Sequence, residues 1–238
     1  MYEMKSRVRY SEIDNTGHIT LTGVINLLQD SATIHSHDLG YSAMDLSKAD
    51  RAWFVTDYQI HIKRLPIMGE ELRTQTYPYS VRGMMASRHF KIYAGDELVI
   101  TANSIWIYMD IKKVKPVRIT QEMADAYGCD DKPEDDFGPR KIALPEDMEK
   151  EFDFTVEKFH LDVNRHMNNG KYIEMIQDIL PEKPLKKLRV EYKKQAVLGD
   201  KVSVFSKTKD NILFVLMKNE GDVMFTMEYI FDRDDVLL

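Results

Sequence analysis

The chain has 238 residues, 43% of them hydrophobic and 30% charged, with a formal net charge of −6. This is the composition of an ordinary globular protein long enough to bury one large core or two small ones, and its acidic balance argues against general nucleic-acid binding. No run of about 18 apolar residues occurs, so no membrane span is expected; the single cysteine, Cys129, excludes an internal disulfide framework and fits a reducing cytosol.

The N-terminal Met1-Tyr2-Glu3-Met4-Lys5-Ser6-Arg7 lacks an apolar signal core, so secretion is not expected and a cytoplasmic location is. A helical apolar pattern then runs from about Leu21 to Leu39 and is closed by Gly40. Tyr58, Ile60 and Ile62 alternate with Gln59, His61 and Lys63, which is the period of a half-buried strand. Further strands are expected over Glu71–Ser80, Met84–Ala94 and Glu97–Asp110, punctuated by Arg82-Gly83 and Gly95-Asp96. From about 112 to 150 the chain carries four of its eight prolines and the acidic run Asp130 to Asp136, and reads as a linker with a short helix from Thr120 to Gly128. A second apolar helix follows, expected to stop at Pro181. Strands near Leu188–Val197, Lys201–Thr208, Ile212–Lys218 and Val223–Asp232 complete the chain.

The chain contains itself twice. Asp14, Thr16, His18, Gln29 and Asp30 recur 148 positions later as Asp162, Asn164, His166, Gln177 and Asp178. Ile60-His61-Ile62-Lys63-Arg64 with Gly69-Glu70 recurs 130 positions later as Val190-Glu191-Tyr192-Lys193-Lys194 with Gly199-Asp200. Two ordered matches argue for a duplicated unit. Each unit has one helix against long antiparallel strands, an α+β layer architecture, and two such sheets can join edge to edge and hide their open edges. The expected division is 1–111, a linker over 112–150, and a second unit over 151–238.

The densest chemistry lies in Asp162-Val163-Asn164-Arg165-His166, where a carboxylate, an amide and an imidazole fall at alternate positions just before a helix. Read alone, the stretch is either a hydrolase site or an Asx turn leading into the helix. The twin set Asp14, Thr16 and His18 lacks the amide and reads as a degenerate structural copy whose helix helps to form a pocket. His35, His37 and Asp38 cannot converge on a metal, because i and i+2 on a helix face apart, and Cys129 reads as an incidental thiol.

Arg51-Ala52-Trp53-Phe54-Val55-Thr56, Asn103-Ser104-Ile105-Trp106-Ile107 and the run from Leu161 to Ile173 resemble segments of the acyl-acyl carrier protein (ACP) thioesterases, the plant plastid enzymes and their bacterial relatives. The resemblance implies a tandem hot-dog fold, each unit a long antiparallel sheet wrapped around one helix. It also implies hydrolysis of acyl-ACP to free fatty acid, with Asp162, Asn164 and His166 on the active-site positions of the second unit. Plant members continue on a later strand as Glu-Tyr-Arg-Arg-Glu-Cys; here the run is Glu191-Tyr192-Lys193-Lys194-Gln195-Ala196. With alanine in place of cysteine, a papain-like mechanism is out, and catalysis would rest on Asp162 as base or nucleophile.

Asn164 would hold the carboxylate or polarise the carbonyl, His166 would orient the site or supply a proton, and Gln195 would position a water. Backbone N–H groups near Asn169 and Gly170 would hold the oxyanion, and Trp53 and Trp106 are candidates for touching the acyl chain. The implied partner is acyl carrier protein with its phosphopantetheine-linked acyl chain; no cofactor and no metal is expected, and the chain would act as a monomer or homodimer. A docking patch would come from Lys112, Lys113, Lys115 and Arg118, or from Lys183, Lys186, Lys187 and Arg189 with Lys193 and Lys194. The competing readings are an acyl-CoA thioesterase and a non-catalytic acyl-thioester-binding protein of the same fold.

Overall fold

The computed structural model describes residues 1–135 and 137–232. Asp136 of the acidic run, and the last six positions of the unit expected over 151–238, lie outside the described residues.

The first half runs through β1 (Tyr2–Arg7), α1 (Leu21–Asp38), α2 (Ala43–Lys48), β2 (Arg51–Ile62), β3 (Glu71–Arg82), β4 (Met85–Ala94) and β5 (Glu97–Asp110). The bridging segment adds β6 (Lys115–Pro116) and α3 (Gln121–Tyr127). The second half holds β7 (Glu149–Thr155), α4 (Asn169–Glu174), β8 (Leu185–Tyr192), β9 (Lys201–Lys209), β10 (Ile212–Asn219) and β11 (Asp222–Phe231). The strands join in one antiparallel sheet of order β1-β3-β4-β5-β2-β8-β11-β10-β9-β7, with β6 hanging on β5. Read outward from the β2–β8 seam, both halves have the same connectivity, so this is the tandem hot-dog arrangement.

The two halves meet at equivalent positions in both layers. In the sheet, Gln59 pairs with Arg189, the residue 130 positions on. In the helical layer, the Thr22 hydroxyl donates to the carbonyl of Gly170, 148 positions on, at 3.4 Å. Self-complementary contact at matching positions is the signature of a two-fold interface, here built within one chain. The bridging segment straps the seam: Arg140 Nε donates to the buried Asp57 carboxylate at 2.7 Å, and the N–H of Ile142 donates to Glu191 at 3.0 Å.

The sheet packs one face against the helices because its strands alternate. In β3, Leu72, Thr74 and Thr76 are buried while their neighbours are half exposed. Val24, Ile25, Leu27 and Leu28 of α1 join Tyr172, Ile173 and Ile176 from the second half in one core with residues from both halves of the sheet. Thr20 caps α1 by accepting from the N–H of Gly23, and Gly40 follows its end at φ +85°, a conformation glycine adopts without steric cost. Thr120 caps α3 in the same way, accepting from Met123, and Gly128 closes it.

Two expectations fail in instructive ways. The second helix does not reach Pro181: α4 ends at Glu174, and the chain tightens into three-residue turns, Ile176 to Ile173, Ile179 to Ile176 and Leu180 to Gln177. A proline has no N–H to continue the ladder, and the residues ahead of it have already left α-helical bonding. The strand expected over Leu188–Val197 begins earlier and stops at Tyr192. Beyond it, Ala196 leaves the ladder and donates its N–H to the Tyr172 hydroxyl at 3.0 Å. Within the segment 112–150, α3 falls where a short helix between Thr120 and Gly128 is expected, and β7 begins at Glu149.

Candidate active site

Asp162 forms an Asx turn. Its Oδ1 accepts from the N–H of Asn164 at 2.8 Å and of His166 at 3.2 Å, while its own N–H donates to the His166 carbonyl at 2.8 Å. Asp14 makes the same bonds to Thr16 and His18, at 2.8 and 3.2 Å. The fourth position of the loop needs positive φ in both copies: Gly17 at +82° in the first, Arg165 at +62° in the second. The loops differ in what they leave free. In the first copy the Thr16 hydroxyl contacts Asp14 at 2.6 Å and His18 at 2.9 Å, closing the loop on itself. In the second, the Asn164 side chain makes no hydrogen bond among the described residues, and Asp162 Oδ2 likewise has none.

The two loops also face different surroundings. Asp162, Asn164 and His166 line a cavity of about 680 Å³, and Asp14, Thr16 and His18 do not. That volume lies in the range of small-molecule sites. The second unit contributes Asn168, Asn169, Tyr172, Lys193, Lys194 and Gln195 to its wall; the remainder comes from α1, α2 and strands of the first unit and from Val114, Pro116 and Tyr127 of the bridging segment. Lys193, Lys194 and Gln195 are exposed as well as lining, so the cavity opens to solvent at the Asp162 end. Asn169 ties the two units together there, its amide donating to Gln29 at 2.7 Å.

His166 is half buried and packs edge-on against Phe54 with ring centres 5.7 Å apart. Its Nδ1 is buried without a partner. Burial pushes its pKa below the ordinary histidine value, with the Asp162 charge opposing, so the ring is neutral near pH 7. A neutral imidazole accepts or orients readily and is a poor proton donor, which narrows the two roles expected for it. Gln195 reaches the cavity and makes no hydrogen bond among the described residues.

Trp53 and Trp106 both line the cavity, the first packed on Tyr108 with ring centres 4.9 Å apart, the second anchored by its indole N–H on Ser104 at 2.7 Å. Gly170 is elsewhere. Its N–H donates to Asn168 Oδ1 at 2.8 Å, capping α4, so it has none to offer an oxyanion. A Cβ there would lie 2.7 Å from Asn26 Oδ1 and 3.3 Å from Thr22 Cγ2, so this glycine serves the close approach of the helices.

Residues the sequence reading left unassigned complete the cavity. Tyr127, at the end of α3, lies on its wall with Ser36, to which its hydroxyl donates at 2.7 Å, and with Leu46 of α2. Arg88 of β4 also lines it and is 5% exposed. Only a buried-side alternation in β4 marked Arg88 as inward-facing, and nothing local marked Tyr127.

Comparison with known proteins agrees with this architecture. Models of the acyl-ACP thioesterase N-terminal and C-terminal domains match residues 1–127 and 144–233. Oleoyl-acyl carrier protein thioesterase 2 of Arabidopsis thaliana, a chloroplastic protein, is 24% identical over 246 residues, covering 92% of this chain and 67% of its own. A chloroplastic acyl-[acyl-carrier-protein] hydrolase of Cuphea viscosissima is 26% identical over 216 residues, covering 82% of this chain and 52% of its own. The chain thus spans about half to two-thirds of the length of these curated relatives. Among solved structures, an acyl-ACP thioesterase from Bacteroides thetaiotaomicron superposes with TM-score 0.86 at 23% identity over 97% of each chain. The 12:0-ACP thioesterase from Umbellularia californica gives 0.83 at 16% identity, covering 97% of this chain and 96% of its own.

Proposed function

Because the chain belongs to the acyl-ACP thioesterase family, we propose that it hydrolyses fatty acyl thioesters held on acyl carrier protein, releasing free acid in the cytoplasm and ending chain elongation. The observation that carries this reading is that Asp162, Asn164, His166 and Gln195 all line one cavity of about 680 Å³. The second unit supplies the reactive groups, and the first supplies most of the chamber for the acyl chain. We read 1–111 and 151–238 as the two hot-dog units, joined by 112–150.

The chemistry follows from which atoms are engaged. Asp162 Oδ1 is fixed by two backbone N–H groups, and Oδ2 is left to draw a proton from water or to attack the thioester carbonyl itself. Asn164 offers its amide N–H groups to the developing oxyanion, a role Gly170 cannot fill. His166 holds the carbonyl and water in line as a neutral ring, and Gln195 positions the water at the mouth. The departing thiol has a pKa near 8.5 and needs no strong acid. Single turnover in labelled water tests direct attack: hydrolysis of the mixed anhydride at the Asp162 carbonyl puts the label in the Asp162 carboxylate, an outcome that base catalysis, which places the label only in the fatty acid, cannot give.

Lys193 and Lys194 sit beside Gln195 at the opening, paired with Glu191 and Asp222. As exposed cations that also line the cavity, they meet the acidic carrier there. The test is kcat/KM for one acyl group presented on carrier protein and on coenzyme A. Carrier preference with a KM that rises with salt supports the reading; equal use of coenzyme A thioesters with a salt-independent KM overturns it.

A further inference from the structure

The cavity wall is not uniformly apolar. Arg88 lines it, is almost fully buried, and forms no ion pair among the described residues. A guanidinium has five N–H donors. Here Nη1 donates to the Thr76 hydroxyl and to His35 Nδ1, both at 3.1 Å, and neither Nε nor Nη2 has an acceptor among the described residues. The Tyr127 ring lies 5.9 Å from the guanidinium carbon. The neighbouring hydroxyls leave it unanswered: Tyr127 donates to Ser36, and Ser36 donates to the carbonyl of Ala32. Burial lowers the Arg88 pKa to about 10, which still leaves it charged at neutral pH, and the groups acting on it are the phenols of Tyr127 and Tyr58, not a carboxylate. A buried cation with unengaged donors facing a chamber is a poor neighbour for a terminal methyl group and a good one for an acceptor oxygen.

Resting on the thioesterase reading above, we propose that Arg88 is a specificity residue that recognises an oxygen-bearing group at the distal end of the acyl chain, so that the preferred substrates are ω-carboxyl or ω-hydroxyl acyl thioesters. The helix α1 sets the length. Gln29 marks the reactive end through its bond from Asn169, and Ser36 stands beside Tyr127 and Arg88. Seven helical residues advance about 10 Å, a span of roughly eight carbons in an extended chain with bonds of about 1.5 Å. The terminal oxygen therefore belongs near the eighth to tenth carbon.

The experiment uses the full chain and two readouts. The first is equilibrium binding of pantetheine amides, which keep the acyl chain and cannot be hydrolysed, bearing decanoyl, ω-hydroxydecanoyl and ω-carboxynonanoyl groups. The wild-type protein is expected to bind an oxygen-ended analogue about tenfold or more tighter than decanoyl, the scale of one charge-assisted hydrogen bond. The ratio between the carboxyl and hydroxyl arms identifies which oxygen is read. Arg88→Met is expected to abolish the preference, bringing the oxygen-ended analogues to within about twofold of decanoyl. Wild-type preference for decanoyl, or a preference that survives Arg88→Met, overturns the proposal. The second readout is hydrolysis of the matching thioesters. Turnover of decanoyl thioester without any preference for oxygen-ended analogues sinks this inference and leaves the thioesterase reading standing. Tight binding of oxygen-ended amides without turnover of any thioester does the reverse.

Discussion

Replacing Asp162 by asparagine separates the two things this residue does. In the Asx turn only Oδ1 is used, at 2.8 and 3.2 Å from two N–H groups, and an amide oxygen accepts those bonds equally well. Asp162→Asn should therefore fold with a melting temperature within about 2 °C of wild type, since each kcal/mol moves a domain of this size by about 2–4 °C. Turnover on a carrier-bound acyl thioester should fall by roughly 10²–10⁴, the usual worth of a positioned base, or about 3–5 kcal/mol of barrier. Asp162→Ala loses the turn as well. Two hydrogen bonds at about 0.5–1.5 kcal/mol each, at a half-buried site, put the added cost at about 1–2 kcal/mol. The duplicate loop supplies the control. Asp14 makes matching bonds at 2.8 and 3.2 Å but does not line the cavity, so Asp14→Ala should lower stability to a similar degree and leave kcat alone. Stopped-flow or thiol-release assays, with thermal denaturation of all three variants, read both axes. If Asp162→Asn turned over like wild type while Asp162→Ala lost activity and stability together, the residue would be a turn former only and the mechanism would be wrong.

Gly170→Ala should destabilise by about 1 kcal/mol, the low end of overpacking, because the clash at 2.7 Å is with the end of the exposed Asn26 side chain; denaturant titration should show Asn26→Ala restoring most of the loss, and no loss in the single variant would mean the helices are not in close contact there. Gln195→Ala, at an exposed position without a protein partner, should leave the melting temperature unchanged and lower kcat about tenfold; unchanged turnover would remove Gln195 from the mechanism. His35 and His89 are held neutral, mainly by burial, with pKa values pushed down to about 4. The unfolded chain binds these protons near pH 6.5 and the folded one does not, so their effect is absent above that pH. Stability falls as the pH drops from about 6.5 toward 4, at up to about 1.4 kcal/mol per pH unit for each histidine. Urea midpoints measured across that range should show the slope, reduced in His89→Phe; a flat profile from pH 6.5 to 5 would contradict it.

Features that depend on neighbours along the chain are legible in the amino-acid order alone. The helix over Leu21–Asp38, the strand Glu97–Asp110 and the capped helix between Thr120 and Gly128 follow from apolar period, turn residues and caps, each a local interaction. The duplication was legible because its two copies keep the same order of residue types, and the Asp162 loop because its bonds span two and four positions. Where these local pieces point depends on contacts between residues far apart in the chain. Two loops with matching hydrogen bonds became one cavity wall and one surface turn, because α1 continues to Asp38 while its counterpart α4 ends at Glu174. The extra turns of α1 line the chamber with Ala32, Thr33 and Ser36, and the segment read as a linker supplies Tyr127 to its wall. Gly170 was misread for the same reason: its need to be glycine comes from Asn26 and Thr22, over 140 positions away. Arg88 shows the limit most clearly. One charged residue in a strand is ordinary in sequence, and only the fold around it buries Arg88 without an ion pair among the described residues and sets it in the cavity wall.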